Sequence, residues 1–244
     1  MPISSDFANS IKGLDLVEDA SVKKGQKKKQ DKALKKRTKE KLTQKRERAL
    51  GVMTALYHVR QARNYPIEGC WVQKGWQSED NGLAVVVVAR RQPSGNIVFG
   101  NYLVDVFCLG LKDTYCNADI PPSEFRHDAL PHMYRSAGTP ISISPALAHE
   151  IIYGGIEYAA KFGFRPQRDF RDSQWVLDLP ETHPRSGKVE FGKDGKPLFI
   201  SGPYDNAEAI VRQLARTAGE GNFDYVVMLG EPPDDFFEEE EGVN

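Results

Sequence analysis

Cysteine is scarce: Cys70, Cys108 and Cys116 are the only three in 244 residues. Three thiols cannot build the disulfide framework that staples small secreted domains. Their spacing does not match a structural zinc site either. Buried free thiols are the expected use. Long apolar runs are missing too. No stretch reaches the roughly 18 consecutive apolar residues of a membrane span, and the start lacks a basic segment followed by an apolar one. A cytoplasmic location without a membrane partner is therefore expected. The chain also lacks a phosphate loop, a dinucleotide-binding glycine pattern, His-Glu-x-x-His and Gly-x-Ser-x-Gly. The patterns of small nucleic-acid-binding modules do not match.

What is present is strongly polarised charge. The formal net charge is -1. Residues 22–48 hold fourteen Lys or Arg against three acidic residues, so that stretch carries +11 and everything else -12. Seven Asp or Glu lie in the last fourteen residues. Good helix formers fill the basic stretch, but its apolar positions between 30 and 48 are only Ala33, Leu34 and Leu42. So thin a stripe cannot bury a helix against a core. From Ala49 onward, Leu50, Val52, Met53, Leu56, Tyr57 and Val59 predict docking on a folded domain. The expected organisation is a flexible N-terminus (1–21), a basic helical arm (22–64), an α+β domain (65–230) and an acidic disordered tail (231–244).

The domain centres on residues 82–116. Strand-like runs at 83–89 and 97–109 flank Pro-Ser-Gly-Asn turn chemistry, so a hairpin is expected there. Both runs are too apolar for one-sided burial, which predicts cover on both faces of a mixed or antiparallel sheet. Ile67–Gln73 reads as a first strand. Residues 131–143 look irregular. Ser144-Pro145 opens the clearest helix, capped by Ser144 and ended by Gly163. Further strands are expected at 174–177 and 225–229, with a second hairpin around 192–195. Asp205 and Glu208 suggest a capping box.

Two sets of residues carry candidate chemistry. Phosphates attract a basic arm without base readout. The candidate nucleic-acid contacts are Lys23, Lys24, Lys27, Lys28, Lys29, Lys32, Lys35, Lys36, Arg37, Lys39, Lys41, Lys45, Arg46 and Arg48. Arg165, Arg168 and Arg171, interleaved with Phe164 and Phe170, offer a second RNA-facing strip. The other set is Asp105, Asp113, His149, Glu150 and Glu157. Asp105 sits in an apolar strand, where an unpaired carboxylate is costly. His149, Glu150 and Glu157 belong to one helix, with Glu150 and Glu157 on a common face. Such carboxylates could hold magnesium or manganese for phosphodiester hydrolysis. Simpler uses exist: Asp105 can cap a turn or pair with Arg90 or Arg91, and Glu150 suits a helix N-terminus. Cys108 or Cys116 with His149 would make a nucleophile pair, but apolar surroundings render a thiol inert.

The expected function is thus a nucleic-acid-associated protein that binds RNA or the ribosome through its arm, without catalysis or cofactor. DNA fits the charge as well. The alternatives are a Mg- or Mn-dependent nuclease at the Asp105 cluster, and a protein-interaction module whose acidic tail masks the arm.

Overall fold

The computed structural model describes residues 35–43, 45, 46, 50–78 and 82–227. The chain divides into two units, Met1–Thr54 and Ala55–Asn244. The described residues of the first unit are helical and exposed. Lys36 and Glu40 pair at 3.9 Å across one turn, and the Thr43 hydroxyl donates to Lys39 O. Leu42, Leu50, Val52 and Met53 are exposed. The N-terminal segment 1–21, the candidate contacts Lys23 to Lys32, Arg48 and the tail 231–244 lie outside the described residues.

The second unit begins with helical residues 55–61 and a 3-10 turn Ala62–Asn64, from which Val59 and Ala62 reach the core while Leu56 and Tyr57 stay exposed. Apolar content there overstates docking, because only positions on the inward face are covered. Five strands follow: β1 (Ile67–Gln73), β2 (Leu83–Arg91), β3 (Ile97–Asp105), β4 (Gly110–Ile120) and β5 (Pro140–Ile143). They form one sheet in the order β4-β3-β2-β1-β5, every pairing antiparallel. The β2–β3 turn closes through Gly95 N–H to Gln92 O at 2.9 Å, with Gly95 at φ +89°. Strand β3 ends at Asp105, four residues earlier than its apolar content suggests. The Asp105 carboxylate accepts the N–H groups of Phe107, Cys108 and Leu109 at 2.9, 3.0 and 3.1 Å. That cap turns the chain into β4, an edge strand concealed by its polar sequence.

Both faces of the sheet are covered, as the unbroken apolar runs require. On one face, Val86, Val88, Tyr102 and Val104 pack with Ala148, Ile151 and Ile152 of helix α1 (Pro145–Ala160). On the other, Val87, Ala89, Ile97 and Phe99 pack with Phe125 and Tyr134. Ser144 caps α1 by accepting the Leu147 N–H at 3.2 Å, and Pro145 fills the first turn. Gly154 and Gly155 allow a close approach in mid-helix. A Cβ at Gly154 would lie 2.3 Å from Phe191 Cζ, and one at Gly155 would lie 2.6 Å from Val104 Cγ1.

Several local expectations fail for identifiable reasons. Residues 131–143 are irregular only in part: a π-helical turn Phe125–Ala129 runs into the helical turn Leu130–Met133, turn and coil fill 134–139, and Pro140–Ile143 is β5. Residues 174–177 form no strand; Gln174–Val176 is a 3-10 turn after the helical turn Phe170–Ser173. Its carbonyls go to side chains instead. Arg63 donates to Gln174 O and Leu177 O, and Arg90 to Val176 O. The second hairpin reduces to an isolated bridge between Lys193 and Lys196. Strand β6 (Leu198–Ile200) instead pairs in parallel with β7 (Asp224–Val226). Helix α2 (Ala207–Thr217) is capped by Asn206, because Asp205 is engaged by Lys112 Nζ at 2.6 Å and Gly202 N–H at 2.8 Å. Among the described residues, no helix is long and apolar enough to cross a membrane.

Candidate metal centre

Helix α1 and the segment after the 3-10 turn meet at three side chains. Ligand atoms of His149, Asp178 and His183 all lie within 4.8 Å of one another, the one such three-residue group of His, Cys, Asp or Glu among the described residues. His149 is fixed first. A carbonyl only accepts, so its Nδ1–H donates to Pro145 O one turn back, at 2.7 Å. Its Nε2 is then unprotonated and accepts the Asp178 N–H at 2.8 Å. Burial pushes the His149 pKa down to about 4, so the ring is neutral near pH 7. This is the tautomer a metal ligand requires, and a backbone carbonyl is a common partner for the remote nitrogen of a metal-bound histidine.

All four hydrogen-bonding groups of Asp178 are engaged. Its N–H meets His149, and its carbonyl accepts the Tyr153 hydroxyl at 2.8 Å. Oδ1 accepts Arg90 at 2.5 Å, and Oδ2 accepts His183 Nε2–H at 2.8 Å. Burial alone would raise the carboxyl pKa; the Arg90 and His183 bonds outweigh it and hold the group below its ordinary range. His183 is half-buried, and its ring lies 4.5 Å from that of His149 between centroids. Among the described residues its Nδ1 has no hydrogen-bond partner.

The loop carrying His183 returns to the same helix. Glu150, buried, accepts Ser186 N–H at 3.0 Å, Ser186 Oγ–H at 2.6 Å and Gly187 N–H at 2.8 Å. Burial would raise its pKa, but these bonds lower it on balance. Exposed Glu157 pairs with Arg185. The shared face of Glu150 and Glu157 is real, and both serve the 185–187 loop.

Of the five carboxylate and imidazole candidates, only His149 belongs to the three-residue cluster. Asp105 is taken up by its turn, although burial still raises its pKa. Asp113 is exposed on β4, its Oδ1 accepting the adjacent Thr114 N–H. Arg90 pairs with Asp178 and Arg91 with Glu68, so neither serves Asp105. Arg165, Arg168 and Arg171 are exposed, the last two beside Asp169 and Asp172. Burial raises the thiol of Cys70 to about 12 and that of Cys116 to about 11, and raises Cys108 as well. Sequence reasoning missed Asp178 and His183. Of the Arg90-Arg91 pair that ends an apolar strand, Arg90 is buried and needs a distant carboxylate, but the sequence alone does not say which of the two turns inward.

The expectation that the protein lacks catalysis is corrected by this cluster. A buried imidazole, a half-buried imidazole and a carboxylate within mutual reach fit a catalytic or metal-binding site. No family model matches the chain, and no curated protein or solved structure matches it.

Proposed function

We propose that the protein is a divalent-metal-dependent hydrolase acting on phosphodiesters. His149, Asp178 and His183 hold the ion, and the basic segment recruits a nucleic acid, RNA first among the choices. The observation that supports the site is the convergence of two imidazoles and one carboxylate within 4.8 Å. Two nitrogen donors and one oxygen favour zinc or another transition ion, manganese included, over magnesium. A bound ion would lower the pKa of its water and supply a hydroxide nucleophile at neutral pH. The chain's own residues prepare that state. Pro145 O selects the His149 tautomer, and Arg90 holds Asp178 ionised. To serve as ligands, His149 Nε2 would have to give up the Asp178 N–H, and His183 would have to carry its proton on Nδ1 instead of Nε2.

The fourteen Lys and Arg of residues 22–48 support the substrate class. Such a stretch binds polyanions in a salt-dependent way.

The test is zinc and manganese titration of the chelator-treated full chain, followed by RNA cleavage with and without the ion. One equivalent of bound metal, with cleavage lost in His183→Ala, is expected. Full cleavage in chelator would overturn the metal. It would favour a second reading, in which His183, oriented by Asp178 and with Nδ1 unpartnered, acts alone as a general base.

A further inference from the structure

We infer that Glu150 is the positioning residue of the centre, holding the loop that presents His183. As far as it concerns a ligand, this rests on the metal reading above.

The two ends of the cluster are secured very differently. His149 belongs to a sixteen-residue helix and is buried. Asp178 is bonded through its backbone and side chain to Arg90, Tyr153 and His149. His183 has no comparable framework. It sits in a stretch without regular secondary structure, and among the described residues its one side-chain hydrogen bond is to Asp178. The nearest buried anchor on its C-terminal side is Glu150, three residues along at Ser186 and Gly187. The neighbouring Arg185–Glu157 pair is exposed and adds little fixation.

Three donors converge on one carboxylate, and that geometry needs an acceptor at both oxygens. A glutamine would turn an amide N–H toward at least one of those donors. The loop would then come away from α1, and His183 would lose its place beside Asp178. His149 and Asp178 would stay where the helix and Arg90 put them. Glu150 thus sets whether the site has three ligands or two, without touching the ion.

The experiment compares wild type, Glu150→Gln and Ser186→Ala as full chains, with histidine ring NMR on the metal-free protein. In wild type the His183 Nε2–H signal should be protected by its bond to Asp178. In Glu150→Gln it should shift toward that of free histidine, while the His149 Nδ1–H signal stays. Ser186→Ala, which removes one of the three bonds, should shift the His183 signal less. An unmoved His183 signal overturns the inference, and so does equal disturbance of both rings. In zinc titrations, Glu150→Gln should weaken affinity by about 10- to 100-fold, as loss of an orienting partner does. In a His183→Ala background it should cost nothing further, because coupled residues are not additive. An equal loss in both backgrounds would overturn the role. If wild type takes up no zinc, the metal reading fails and the ring signals alone decide Glu150.

Discussion

Arg90 and Asp178 meet at 2.5 Å inside the domain, eighty-eight residues apart in sequence. The Arg90 side chain is 3% exposed, and its guanidinium also donates to Tyr65 O and Val176 O. The pair fastens the segment before the His183 loop to the centre of the sheet. Removing one partner of a buried pair leaves the other charge uncompensated, which costs about 3–5 kcal/mol. Asp178→Ala should lose that much in urea unfolding with chelator present. Glu157→Ala, which breaks an exposed pair with Arg185, should lose about 0–1 kcal/mol. Equal losses would mean that Arg90 finds another partner.

Gly154 of α1 packs against Phe191, which follows the His183 loop. An added Cβ would lie 2.3 Å from Phe191 Cζ, so the ring would have to move. Gly154→Ala gains intrinsic helix propensity of about 1 kcal/mol but overpacks the contact, at about 1–3 kcal/mol. Net destabilisation is expected, measured by thermal unfolding. A stabilised variant would show that Phe191 yields freely.

The sheet centre and α1 were legible because their signals are local. Apolar strand runs, a Pro-Ser-Gly-Asn turn and a Ser-Pro helix start each act within a few residues. Strand β4 was hidden because its polar edge residues obscure the buried positions Leu111, Thr114 and Ala118. The cluster was illegible for a different reason. His149 stood out on its helix, but Asp178 and His183 lie in a segment without periodicity. What brings them to His149 is Arg90, Tyr153 and Glu150, through contacts 25 to 88 residues apart. Asp105 stood out as a carboxylate in an apolar run, and its solution is local: three backbone donors within four residues.

Glu68 should contribute an acid-sensitive share of stability. Bonds from Arg91 lead in lowering its pKa; burial opposes them and Arg126 assists. Arg91 reaches its two oxygens at 2.8 and 2.5 Å, and Arg126 donates at 2.7 Å. Since the folded pKa lies below the unfolded one, the unfolded chain binds the proton first as pH falls. The contribution is complete above the ordinary carboxylate pKa and disappears as pH falls through the lowered folded value. Glu68→Gln should therefore be less stable at pH 7 and should narrow that gap as the buffer is made more acidic. A gap independent of pH between 7 and 3 would contradict the assignment.

Asp105→Asn separates the two places where an acidic site could lie. The carboxylate caps the turn between β3 and β4 by accepting three N–H groups. An asparagine keeps one acceptor oxygen and presents an N–H where the other stood, leaving a backbone donor unpaired. Loss of such a bond costs about 1–3 kcal/mol, so the variant should unfold at lower urea concentration. Zinc affinity and any metal-dependent cleavage should remain, because Asp105 is not one of the three clustered residues. Both should be measured well below the unfolding transition, so that a weaker fold does not imitate a lost site. If the folded variant loses activity while His183→Ala retains it, the chemistry belongs at the β3–β4 turn and not at His149, Asp178 and His183.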